Sequence, residues 1–202
     1  MKGLLIKDIL NFKKQWLVML FLLIFYSVFA VLNDSPEMVG FMMVLLSLIL
    51  PMTAFAYDEQ SKWDRYALSM PVSRTEIVLS RYLFLLLLVV LLSLFAFFLN
   101  FCMGVAPGEA FSSTALFSAL SLLMGAVSFP VLFRFGPEKT RLLMVLVILI
   151  PTVGLMLLER AGLLPEELPA FGDLLPFFLP AALLLFVLSF FLSVQIYKRK
   201  EF

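Results

Sequence analysis

Apolar and charged positions in this chain separate into long blocks. Six uncharged apolar runs, Gln15–Asn33, Met38–Tyr57, Tyr82–Gly108, Ala110–Phe133, Leu142–Leu158 and Leu174–Tyr197, are each 17 to 27 residues long. A helix needs about 20 apolar residues to cross the hydrocarbon core of a bilayer, so the pattern predicts six transmembrane helices. Residues 1–15 show a different pattern. Leu5, Ile9, Phe12 and Trp16 recur at helical spacing, with Lys2, Asp8 and Lys13 elsewhere on the wheel. This predicts an amphipathic helix lying in the membrane interface, its lysines toward anionic headgroups; the plainer alternative is an N-terminal extension of the first span.

The gaps between runs add a direction. Basic residues number four in the N-terminal segment (Lys2, Lys7, Lys13, Lys14) and none in the first gap. The second gap has four (Lys62, Arg65, Arg74, Arg81) and the third none. The fourth has three (Arg134, Lys139, Arg141), the fifth one (Arg160), and the C-terminal tail three (Lys198, Arg199, Lys200). Alternate segments thus hold 14 and 1, whereas the acidic residues split 7 and 7. Lys and Arg collect in cytoplasmic loops, which places both termini in the cytoplasm. The expected fold is all-α: an integral membrane protein with one transmembrane domain over residues 1–202, an interfacial helix at 1–15, a cytoplasmic segment at 58–81 and an extracellular segment at 159–173.

Composition agrees. The chain is 63% hydrophobic with a mean hydropathy of +1.08, the profile of a multi-pass membrane protein, and its net charge of +1 gives no reason to expect nucleic acid. The first run is too long for a signal peptide and has no small-residue cleavage site. Several chemistries lose their residues. The chain has no histidine, one cysteine (Cys102) and no Gly-x-x-x-x-Gly-Lys-Ser/Thr loop for nucleotide phosphates. No charge lies deep within a run, which argues against an ion-coupled transporter. Asp58 and Glu59 are adjacent and so point to different sides of a helix, a poor catalytic pair. Ser47, Thr53, Ser93, Asn100, Ser118, Ser121, Ser128, Ser189, Ser193 and Gln195 lie within the runs, and most of them are expected to hydrogen-bond between helices.

The segment after the second run is unusual. Trp63, Tyr66 and Ala67 share one helical face, with Met70 a turn later, while Asp58, Lys62 and Arg65 lie elsewhere. Pro71 ends that short helix, and Ser73-Arg74-Thr75-Glu76 is a capping-box signature that opens a new helix running into the third span. Its aromatics suit either docking on a partner or anchoring at the headgroup level. Farther on, Gly136 can close one helix, and Pro137 with Glu138 suits the first turn of the next. Pro51, Pro130 and Pro151 sit inside runs and predict kinks.

These segments carry a resemblance. Tyr57-Asp58-Glu59 through Trp63, then Ser69-Met70-Pro71-Val72-Ser73-Arg74 and Arg81-Tyr82, resemble the membrane subunits of type-2 ABC exporters, in which an acidic residue precedes a short helix and a Leu-Pro-Ile-Ser-Arg-like turn. Phe135-Gly136-Pro137-Glu138-Lys139-Thr140-Arg141 is similar to that family's Phe-Gly-x-Glu-Lys-x-Arg loop. The match covers two loops, with six spans and about 200 residues agreeing by topology. It resembles in particular small permeases of bacterial exporters of amphipathic peptides such as phenol-soluble modulins. The resemblance implies a separate cytoplasmic ATPase that binds ATP and magnesium, this chain holding no cofactor. It implies a coupling helix docking that ATPase through Asp58, Glu59, Lys62, Trp63, Arg65, Tyr66, Ser69, Met70, Pro71 and Arg74, with Glu138, Lys139 and Arg141 in the second cytoplasmic loop. It also implies a second permease copy or close homologue, with an apolar path between the two, in a bacterial cell membrane.

The leading reading is therefore a permease subunit that exports an amphipathic or hydrophobic substrate, a peptide above others. A structural or assembly subunit without transport is the alternative, and a membrane-embedded enzyme is a weaker one.

Overall fold

The computed structural model describes residues 16–61, 73–160 and 171–199. The expected interfacial helix at 1–15, residues 62–72 of the cytoplasmic segment at 58–81 and the centre of the segment at 159–173 lie outside the described residues; Glu59 and Gln60, expected to begin the coupling helix, continue α2. What is described is entirely helical between short turns: α1 (Trp16–Leu32), α2 (Glu37–Gln60), α3 (Arg74–Cys102), α4 (Pro107–Phe135), α5 (Pro137–Arg160) and α6 (Phe171–Arg199). Among the described residues, α2, α3, α4 and the Phe177–Arg199 part of α6 are long and apolar enough to cross a membrane, and α1 is a shorter apolar helix.

Local chemistry sets the boundaries. Asn33–Pro36 turns the chain between α1 and α2, with Asp34 at φ 47°, a conformation Asp tolerates. Ser73 caps α3 as its sequence signature predicts: the Ser73 hydroxyl accepts from the Glu76 backbone N–H, and the Glu76 carboxylate accepts from the Ser73 N–H. The third run does not extend to Gly108 as its apolar content implies. The chain reverses at Met103–Ala106, Gly104 takes a positive φ, and Pro107 opens α4. The turn carries no charge, so hydropathy alone passes over it. Gly136, at φ +81°, ends α4, and Pro137 begins α5, the predicted arrangement.

α4 is the central helix. It packs most extensively on α6 and also against α2 and α3, while α1 rests on α2. Each central helix buries a stripe: Val39, Met42, Met43 and Leu46 on α2, Val78, Leu85, Leu88 and Leu92 on α3, and Ala182, Phe186, Ser189 and Ser193 on α6. The opposite faces carry exposed Phe21, Phe25, Leu87, Leu91, Leu94, Leu184 and Leu188. A water-soluble bundle would be polar on those faces. Here large apolar residues cover the outside as well as the core, and small and hydroxyl residues such as Ala182, Ser189 and Ser193 are packed inside, an arrangement that suits lipid.

The serines mostly bond at home. Ser47, Ser93, Ser118, Ser121 and Ser128 donate to carbonyls three or four residues back on their own helix. Ser189 and Ser193 do bridge helices, through Tyr82 and the Ala126 carbonyl. The general expectation of interhelical bonds thus holds for only part of the set, because the in-helix carbonyl is always within reach.

Candidate functional site

One end of the bundle gathers the termini of α2, α3, α4, α5 and α6, and the charged residues there interlock. Ile77, Val78, Arg81, Tyr82 and Leu85 share the buried face of α3, so Arg81 enters the fold one turn after Ile77. Its guanidinium forms an ion pair with Asp58 at the end of α2, and both side chains are buried. The same guanidinium lies 4.8 Å from the centre of the Phe55 ring, a cation–π position. Phe55 stands edge-on to Phe133 at 5.1 Å, and Phe133 to Tyr197 at 5.4 Å. The pair is thereby held among aromatic rings from α2, α4 and α6. A charge taken out of water in this way requires its partner, because an unpaired buried ion is far costlier than the pair.

Two further contacts tie neighbouring helices to this junction. Arg74, at the start of α3, donates from Nη1 to the carbonyls of Lys198 (2.7 Å) and Tyr197 (3.3 Å). Those carbonyls belong to the last turn of α6, where no intrahelical donor remains. Glu59 sits beside the α4–α5 corner: a Cβ on Gly136 would lie 3.1 Å from the Glu59 carboxylate. Gly136 is needed twice, for its positive φ and for that approach. A cavity of about 40 Å³ adjoins the pair, lined by Asp58, Glu59, Arg81, Gly136 and Tyr197 among others.

One turn deeper, hydroxyl groups form a relay across three helices. Pro130 has no N–H, so the carbonyl of Ala126, four residues back in α4, loses its helical donor. Ser189 of α6 donates to that carbonyl at 2.6 Å. Its single proton being used there, Ser189 accepts from the Tyr82 hydroxyl of α3 at 2.8 Å, and Tyr82 in turn accepts from Ser193 at 2.7 Å. The Tyr82 ring packs on Phe129 and Phe186 at 4.7 and 5.0 Å. Adjacent residues Arg81 and Tyr82 therefore join α3 to α2 and to α6 respectively.

Of the predicted site residues, the structure brings Asp58, Glu59 and Arg74 into this junction. Glu138, Lys139 and Arg141 are exposed on the first turns of α5, next to the Gly136 corner. Trp16 begins α1 and is exposed. Lys2, Lys7, Lys13, Lys14, Lys62, Trp63, Arg65, Tyr66, Ser69, Met70 and Pro71 lie outside the described residues. Of the described residues that flank the Lys62–Val72 segment, Asp58 before it pairs with α3 and Arg74 after it bonds to α6, while Glu59 lies beside the Gly136 corner. Asp58 reads in the sequence as a surface residue of the coupling segment, but its carboxylate is turned inward to Arg81. Arg81 reads in the sequence as one of the loop charges. The signal that it points inward is its place in the Ile77, Val78, Arg81, Tyr82, Leu85 stripe.

A family model described as ABC-2 family transporter protein matches residues 3–198 of the chain. No curated protein and no solved structure matches it significantly.

Proposed function

Since the chain belongs to the ABC-2 family of transporter proteins, the multi-pass membrane permease components of ABC transporters, we propose that it is the permease of an exporter for amphipathic or hydrophobic substrates, peptides first. In this reading a cytoplasmic ATPase hydrolyses ATP, both termini face the cytoplasm, and two permease copies, or this chain and a close homologue, flank the path in a bacterial cell membrane. The single observation that carries coupling is the junction around Asp58–Arg81. The segment between Ser61 and Ser73 is bracketed by residues bound to α3 and α6, and Glu59 lies against the α4–α5 corner. A force applied to that segment by a docked ATPase would reach α2, α3 and α6 through the Asp58–Arg81 pair and the Arg74 hydrogen bonds.

The test is copurification with the partner ATPase and measurement of hydrolysis in nanodiscs. Aromatic anchors contribute on the order of 2 kcal/mol or more when truncated at an interface, so Trp63→Ala is expected to abolish stimulated hydrolysis while leaving membrane insertion intact. Normal copurification and normal stimulation in that variant would remove the segment from the coupling role.

A further inference from the structure

At the end of the bundle opposite the Asp58–Arg81 junction, the described residues of the central helices leave a gap. α2 and α6 both pack on α4, and near the start of α6 they leave an apolar cleft of about 410 Å³ whose walls include Phe41, Leu116, Phe117, Leu120 and Phe178. That volume falls in the range of about 300–1,000 Å³ found for small-molecule sites. The walls are built for it. Gly40 lets the Phe117 ring lie against the α2 backbone, where a Cβ would come within 2.0 Å of the ring, and Phe41 meets Phe117 edge-on at 5.5 Å. The ring is therefore held as a fixed wall of the cleft.

Among the described residues, one acidic side chain lines this cleft, that of Glu37 at its exposed rim. Among the described residues, Asp34 and Glu109 stand at the same end of the bundle, on the turn before α2 and the first turn of α4, with Arg160 in the last turn of α5. The first and third gaps of the sequence, which flank α2 and open α4, contain no basic residue. An apolar ligand carrying a carboxylate or phosphate would meet like charge there, whereas a cation gains an ion pair.

We infer that this cleft binds the apolar portion of a cationic amphiphile, with Glu37 pairing its positive group. The inference rests on the permease reading for its place in transport and deepens that reading by naming the substrate class, a cationic amphiphile in preference to an anionic or neutral one. Selection by charge at the rim and by area in the cleft leaves the rest of the molecule unread, as an exporter of varied amphiphiles requires.

The test uses the intact chain in phosphatidylcholine nanodiscs, without the ATPase. Two photoreactive probes share one dodecyl diazirine chain and differ in headgroup, trimethylammonium against carboxylate. Adducts are mapped by mass spectrometry, and labelling of the exposed α1 residues Phe21 and Phe25 corrects for partition into the bilayer. The ammonium probe is expected to label the cleft about fivefold more than the carboxylate probe, the size an accessible ion pair supports. Glu37→Gln should bring that ratio close to one, Glu109→Gln should leave it, and Leu116→Trp should lower labelling of the cleft by both probes. Equal labelling by the two probes, or a ratio unchanged in Glu37→Gln, overturns the inference and makes the cleft a groove for bilayer lipid. These outcomes are independent of ATPase copurification, which alone decides the permease reading.

Discussion

Asp58 and Arg81 show how much depends on a single pair of side chains. Both are buried and each is the other's counter-ion, so removing one leaves the second charge without compensation at the edge of the membrane. Asp58→Ala is expected to cost about 3–5 kcal/mol of stability, read as a lowered thermal midpoint in detergent. Arg81→Met should cost about as much. The double variant Asp58→Leu with Arg81→Met removes both charges and should recover a large part of the loss. Strict additivity of the two single variants would mean that the pair does not interact. The Phe55 ring 4.8 Å from the guanidinium survives in the Asp58 variants and does not substitute for the carboxylate, because a cation–π contact is worth only about 0.5–2 kcal/mol.

Among the helices, α4 and α6 are joined by a defect. Pro130 frees the Ala126 carbonyl, and Ser189 takes over as its donor at 2.6 Å. The kink prediction for Pro130 therefore has a structural partner: α4 continues from Pro107 to Phe135 because the neighbouring helix satisfies the broken rung. Ser189→Ala should destabilise the protein by about 1 kcal/mol. In a Pro130→Ala background, residue 130 regains its N–H and bonds Ala126 itself, so the same serine substitution should cost clearly less. A cost that is identical in the two backgrounds would show that Ser189 matters through Tyr82 and not through the freed carbonyl. The capping box at Ser73 belongs to the same scale. It fixes where α3 begins, and so which turn presents Arg74 to α6 and which presents Arg81 to α2.

For the whole molecule, the charge asymmetry predicts that the Asp58–Arg81 end is cytoplasmic and the Glu37 end is outside. In a Cys102→Ser background, a cysteine at Lys139 should react with a membrane-impermeant maleimide only in inverted vesicles, and one at Glu109 only in intact cells. Reaction of both from the same side would overturn the topology. The hydropathy blocks and the Ser73, Gly136 and Pro137 signals made the helices and most of their boundaries legible, since burial of apolar runs and local backbone chemistry act over a few residues and need no partner. The turn at Met103–Ala106 was hidden because it is as apolar as the spans beside it. The described residues of the two loops that carry the family resemblance lie at one end of the molecule. What no local pattern could state is that Asp58 turns inward to meet Arg81, 23 positions away, or that Ser189 answers Pro130 across 59. The sequence by itself determined a multi-pass helical membrane protein of the ABC-2 type with sided charge. Only the tertiary structure decided which charges are spent inside the fold and where the helices part around Glu37, because both depend on which faces meet, and in lipid that choice is made by packing and by matching polar groups, not by hydrophobicity.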